Sequence, residues 1–256
     1  MKKLLIASLV IVLALAGFAC GGGGGGGGGV PVQNQSPQGI WNGSFHSNVT
    51  NGTDIVSGVV TSNELRLFSA SWGGQYAGTG SVSGSSFSGT LTAYAPWGYV
   101  FRDGSKIGSV TINGTVKYRD SISGTYSGTG DNGTFSLAYD SLYLRTPSLS
   151  LVGGNWLHQS DQLGTVPWTI DANGNITGSS SGGCVYSGEV SIVGIGVGYS
   201  CCNAYRISIN ISSCGALNGN DYNGLAFLDD TTKQNDTLIA SVANPTQAFT
   251  ANFIRQ

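Results

Sequence analysis

From Gln38 onward the chain alternates. In Ile55–Thr61, Ser86–Tyr94, Ser109–Tyr118 and Tyr205–Ile211, apolar and polar residues exchange places with a period close to two. That period puts every second side chain on the same face of a strand, so each run predicts a half-buried antiparallel β-strand with one dry and one wet face. Leu and Ala gather nowhere at helical spacing. Asn51-Gly52, Asp103-Gly104, Asp131-Asn132-Gly133 and Asn173-Gly174 punctuate the pattern. Such pairs accept the positive φ values of tight hairpins, and they predict an all-β body built from sequence-adjacent hairpins.

The pattern runs through the chain twice. Gly39-Ile40-Trp41 opens one half and Gly154-Asn155-Trp156 the other. Phe87–Leu91 answers Tyr186–Val190, Tyr118-Arg119 answers Tyr205-Arg206, and each half closes on an apolar stretch ending in Arg, Leu142–Arg145 and Phe249–Arg255. Unequal spacing makes this a diverged duplication rather than an array of short repeats. The expected domains are 39–146 and 153–256, each long enough to bury its own core. About eight short strands per half fit a closed up-and-down barrel, which removes exposed edges; a two-sheet sandwich is the alternative. The Gly-x-Trp opening resembles the first strand of lipocalin-like and avidin-like barrels, which implies a Trp plugging one barrel end. Strand glycines such as Gly78, Gly114 and Gly124 allow the bends that a small barrel needs.

One segment departs from the alternation. Met1-Lys2-Lys3 precedes the apolar run Leu4–Ala16, which is too short for a membrane span of about 20 residues and fits a secretory signal peptide. Gly17-Phe18-Ala19-Cys20 follows and resembles the lipobox of bacterial lipoproteins, with Gly17 and Phe18 departing from its commonest residues. The resemblance implies cleavage of residues 1–19, acylation of Cys20 and, with Gly21 next to it, transfer to the outer membrane; an ordinary signal peptide cut after Ala19 or Ala16, leaving Cys20 a free thiol, is the alternative. Gly21–Gly29 and Val30–Pro37 then read as a flexible tether over 20–38. Nine glycines resist ordering and as a coil reach about 15–18 Å.

Charge narrows the partners. Loss of residues 1–19 takes Lys+Arg from 11 to 9 against 13 Asp+Glu, leaving a mature charge near −4. With no basic patch, nucleic acid is not an expected partner, and the expected membrane contact is the lipid anchor. Beyond Cys20 four cysteines remain, Cys184, Cys201, Cys202 and Cys214. In an exported chain they read as disulfides. Cys184–Cys214 is the favoured pair, with Cys201 and Cys202 either bonded to each other or reduced. The spacing lacks the paired Cys-x-x-Cys of a metal site, and neither a metal nor an organic cofactor is expected.

No hydrolase elbow, zincin motif or phosphate loop is present. His46 and His158 follow their respective tryptophans at different offsets, so they are not counterparts. Asp171–Asn175 has its glycine in the wrong place for a calcium loop and reads as a hairpin turn, and Asp229-Asp230 as a solvated turn. Aromatic residues crowd the first half, and Trp97 and Tyr99, set in a Pro- and Gly-flanked loop, are the candidate ligand-binding side chains. The chain thus reads as a non-enzymatic envelope lipoprotein with a binding or structural role. A barrel holding a small apolar ligand, and an envelope hydrolase whose acids converge from distant positions, are the alternatives.

Overall fold

The computed structural model describes residues 34–62, 64–160, 163–194 and 200–256, with the backbone alone of Ser200, Cys201 and Ala216. The expected signal peptide, Cys20 and the glycine run lie outside the described residues. Two closed antiparallel barrels of eight strands each make up the described chain, and in each the strands follow one another in sequence order. The first barrel comprises β1 Gly39–Ser47, β2 Thr53–Val60, β3 Leu65–Ser69, β4 Gln75–Ser83, β5 Ser86–Tyr94, β6 Ile107–Lys117, β7 Ser121–Gly128 and β8 Asp131–Asp140. The second comprises β9 Gly154–Ser160, β10 Gly164–Ile170, β11 Asn175–Ser179, β12 Val185–Gly194, β13 Ser200–Ser212, β14 Gly219–Asp229, β15 Thr237–Asn244 and β16 Gln247–Arg255. Pairing of β1 with β8, and of β16 with β9, closes the rings. The sandwich alternative is thereby excluded.

Alternation explains the interior. Trp41 and Phe45 of β1, Phe87 and Leu91 of β5, and Val110 and Ile112 of β6 belong to one buried cluster. Ser44, Ser88, Thr111 and Asn113, which stand between them, are outward polar residues. Inward glycines let strands approach where a side chain would collide. A Cβ on Gly124 would lie 2.0 Å from the Asn113 carbonyl oxygen and 2.5 Å from Cα of Gly114, its partner across the β6–β7 ladder. This is close backbone approach in a small, strongly curved barrel.

Asp131-Asn132-Gly133 corrects one expectation. It lies inside β8, and the hairpin turn stands two residues earlier at Thr129 and Gly130, with φ of 54° and 77°. Asn173-Gly174 does form the β10–β11 turn, where Asp171 accepts from the amides of Asn173 and Asn175.

Strand register corrects the sequence-level repeat. Trp41 faces Gly58, and Trp156 faces Trp168. Carried along the ladders, the register aligns Tyr76 of β4 with Tyr186 of β12. Phe87–Leu91 lies in the fifth strand of its barrel whereas Tyr186–Val190 lies in the fourth, so those segments are not counterparts. Nor are Tyr118-Arg119 and Tyr205-Arg206, since Arg119 follows the end of β6 and Arg206 sits within β13. Leu142–Leu144 is part of a 3-10 helix after β8, and the residue paired with Trp41 as Arg255 is with Trp156 is Tyr139.

Each Gly-x-Trp tryptophan seals one end of its barrel. Both indoles are fully buried and donate to a carbonyl four residues upstream, Trp41 to Pro37 at 2.9 Å and Trp156 to Val152 at 2.7 Å. The Arg255 guanidinium lies 4.1 Å above the Trp156 ring and donates to the Gly153 and Leu151 carbonyls, whereas Tyr139 meets Trp41 edge-on. Asn34–Gln38, read from sequence as the end of the tether, instead docks across the sealed end of the first barrel. The Gln35 amide donates to the Gly84 carbonyl at 2.8 Å, the Gly84 amide to Asn34 Oδ1 at 2.7 Å, and the Tyr118 amide to Gln35 Oε1 at 3.1 Å.

The two barrels belong to one compact unit. Their outer walls are apolar where they meet, with Ile40, Val59 and Phe68 of the first barrel clustered with Ala204, Leu225, Phe227 and Ile239 of the second. Polar contacts frame the patch: Arg66 donates to the Asn223 carbonyl at 2.8 Å and Ser241 to Gln75 Oε1 at 2.8 Å. Asp229 ends β14 and Asp230 is exposed just after it, as the expected solvated turn requires, with both Asp230 oxygens accepting from Arg145.

Cys184 and Cys214 form the favoured disulfide, with Cα atoms 4.4 Å apart and a sequence separation of 30. They flank the paired strand ends Val185 and Ser212, so the bond clamps β12 to β13. Cys202 also enters a disulfide, with a partner outside the described side chains. Cross-linking a loop of this length removes about 3.6 kcal/mol of unfolded-state freedom in the chain-entropy model. The Cys184→Ala/Cys214→Ala variant should therefore lose about 3.6 kcal/mol in non-reducing urea denaturation. An unchanged midpoint would show that the clamp contributes nothing.

Candidate binding site at the mouth of the first barrel

Opposite the Trp41 seal, the β1–β2, β3–β4, β5–β6 and β7–β8 connections gather around an open mouth. A cavity of about 360 Å³ enters there, lined among others by Phe45, Tyr76, Tyr126, Trp72, Phe101, Arg102, Asp54 and Asp131. Its size suits a small molecule.

Two serines build its polar half in the same way. Ser47 ends β1 and Ser69 ends β3; both are buried, and each hydroxyl accepts from the amides two and three residues ahead, which tightens the following turn. Each hydroxyl then needs an acceptor for its own proton. Ser47 donates to Asp131 Oδ1 at 2.7 Å and Ser69 to Asp54 Oδ1 at 2.6 Å. The second oxygen of each carboxylate accepts from an aromatic donor, Tyr126 to Asp131 Oδ2 and Trp72 to Asp54 Oδ2, both at 3.0 Å. Phe45 stacks on Tyr126 with ring centroids 5.1 Å apart, and Trp72 meets Phe101 edge-on at 5.5 Å.

Tyr76 sits at the base of the mouth. Its side chain is nine-tenths buried, at 9% exposure, and no described residue hydrogen-bonds its hydroxyl. Burial, followed by the charges of Asp54 and Asp131, pushes its phenol well above the ordinary tyrosine range. Burial and the Asp131 contact do the same to Tyr126. Both phenols therefore stay protonated in neutral solution.

Among the described residues, the interior of the second barrel is packed with aromatic rings. Opposite the sealing tryptophan, Trp168 stands where the first barrel has Gly58, and it stacks on Phe253 at 4.0 Å. His158 stands two residues after Trp156, where the first barrel has Gly43 after Trp41. Its ring packs against Phe253 at 5.5 Å and its Nδ1 lies 3.1 Å from the Asn252 carbonyl. Burial lowers the His158 pKa. A histidine that folds preferentially neutral contributes stability fully present above its unfolded pKa of about 6.5 and lost as pH falls below it. Stability should fall as pH drops below about 6.5, with part of that slope absent from His158→Gln in pH-dependent urea melts.

His46 lies in the first barrel, 3.2 Å from Thr53 Oγ1, so the two histidines do not share a site. Trp97 and Tyr99, the sequence candidates, are 54% and 64% exposed and do not line the mouth. They border a neighbouring cleft of about 240 Å³, shared with Leu217 and Thr246–Ala248 of the second barrel. Sequence reasoning missed Asp54, Asp131 and Tyr126. It registered the aromatic crowding around Trp72, Tyr76 and Phe101, but alternation alone does not reveal which strand ends meet. Among the described residues no three His, Cys, Asp or Glu side chains gather as metal ligands would.

Fold and site together define a protein of two fused up-and-down barrels, one filled and one open. In comparisons with known proteins, no family model and no curated protein matches the chain.

Proposed function

We propose that this is an outer-membrane lipoprotein, anchored through an acylated Cys20, that binds a small molecule in the open mouth of its first barrel without transforming it. The observation that carries the binding half is the contrast between the barrels: the mouth cavity is lined by five aromatic rings and fixed polar groups, while in the second barrel Trp168 fills the interior where the first has Gly58. The anchor half rests on the lipobox-like segment. The geometry is compatible with it, since Asn34–Gln38 enter across the sealed end and the mouth lies at the other. A chain tethered at one end of a barrel keeps the opposite end accessible.

Convergence of Asp54 and Asp131 is the observation that favours the hydrolase reading. Against it, all four oxygens of the pair already accept from serine or aromatic donors, an arrangement for holding acceptors in place rather than for delivering a proton.

Native mass spectrometry of protein purified from its host should show an adduct that denaturation releases unchanged. Cys20→Ala should move the protein from the membrane to the soluble fraction and change its electrophoretic mobility. A bare mass together with a mouth filled by its own side chains would refute the binding role, and unchanged fractionation would refute the anchor.

A further inference from the structure

Building on the reading of the mouth as a small-molecule site, we infer that its ligand is an organic ammonium ion, a positively charged amine carried on an apolar or aromatic body. Three independent features of the mouth lead there.

The first is the balance of charge. Asp54 and Asp131 come from different strands, and the side chains holding them are neutral: Ser69 and Trp72 for one, Ser47 and Tyr126 for the other. Neither carboxylate enters an ion pair among the described residues. Arg102 is the cation of the lining, but it is exposed on the β5–β6 connection and bonds neither acid. A ligand that displaces water from two carboxylates incurs a desolvation cost, which a cation offsets and a neutral molecule does not.

The second is the wall. Trp72 and Tyr126 donate to the carboxylates from their polar edges, which orients the rings around the cavity. Aromatic faces attract an alkylated ammonium, more strongly as water leaves.

The third is Tyr76. Its hydroxyl is held in the mouth without a partner, and it can accept an ammonium N–H or meet the hydrated edge of a quaternary one. After burial, the carboxylates of Asp54 and Asp131 favour its neutral form, so the charge around its hydroxyl is negative. A hydroxyl that lines the mouth beside two fixed carboxylates, with no partner of its own among the described residues, is free to make its contact with a ligand.

The test compares three probes of matched shape on the full mature protein in non-ionic detergent: 2-phenylethylammonium, 2-phenylethanol and phenylacetate, followed by tryptophan fluorescence and calorimetry. The ammonium should bind at least about tenfold more tightly than the alcohol, with phenylacetate weakest, and added salt should erode the preference. Asp54→Asn and Asp131→Asn should each weaken the ammonium about tenfold more than the alcohol, whose binding reports on the shape of the mouth. Arg102→Ala, on the exposed rim, should tighten the ammonium and weaken phenylacetate whether or not the aspartate variants fold. Equal binding of ammonium and alcohol, or preference for the anion, would overturn the ammonium assignment while sparing the binding role. No binding by any probe, with the native-mass adduct also missing, would overturn both.

Discussion

Replacing Trp156 by alanine is expected to destabilise the protein by about 3–5 kcal/mol, the range for deleting a fully buried tryptophan. The ring is completely buried and joins three elements at once. Its indole N–H satisfies the Val152 carbonyl, one face carries the Arg255 guanidinium, and its strand pairs with both β10 and β16. Truncation leaves a cavity at the sealed end and strips Arg255 of the aromatic face that compensates its partial burial. Trp156→Phe separates the causes: it keeps most of the packing and loses the hydrogen bond, so it should cost about 1–2 kcal/mol beyond any strain. Urea denaturation reads both. If the alanine variant unfolds at the parent's midpoint, the seal is not part of the stabilising core.

The second large effect is expected at the wall between the barrels. Phe227 is 2% exposed and lies on the outer face of β14, within the apolar patch formed with Phe68 and Val59. Phe227→Asp places a carboxylate among the apolar side chains of that patch, and removal of the ring opens the contact. The cost is expected to be at least about 3 kcal/mol. Because the residue faces away from the interior of its own barrel, the loss falls on the coupling between barrels rather than on either core. Calorimetry should show one transition in the parent and two in the variant. Coincident single transitions at the same temperature would mean that the patch transmits no stability. The same wall holds the β5–β6 connection beside Leu217 and Thr246, so separation should also free Trp97 and change its fluorescence.

Alternation and turn chemistry were enough to predict an all-β chain of sequence-adjacent hairpins, because each strand pairs with its neighbour in sequence and the information is local, whereas the choice of barrel over sandwich leaned on the Gly-x-Trp resemblance. The Cys184–Cys214 pair was legible for the same reason, since both residues flank consecutive strands. Where local signals failed, three-dimensional register was responsible. Asp131-Asn132-Gly133 has turn composition but is held in β8 because Thr129-Gly130 supplies the positive φ values one step sooner. Val59, Phe68 and Leu225 interrupt the polar outer face for a partner wall that no single strand reveals.

The binding site divides along the same line. That this protein is built of hairpin-linked strands, with an aromatic-rich first half and an export-like start, is written in the order of its residues, through patterns that act over a few positions. That Asp54 meets Ser69 and Trp72, that Asp131 meets Ser47 across 84 positions, and that one barrel is open while the other is filled were decided only by closure of the ring. Closure brings strand ends together by register and shear, and a one-residue slip would turn each of those side chains to the opposite face.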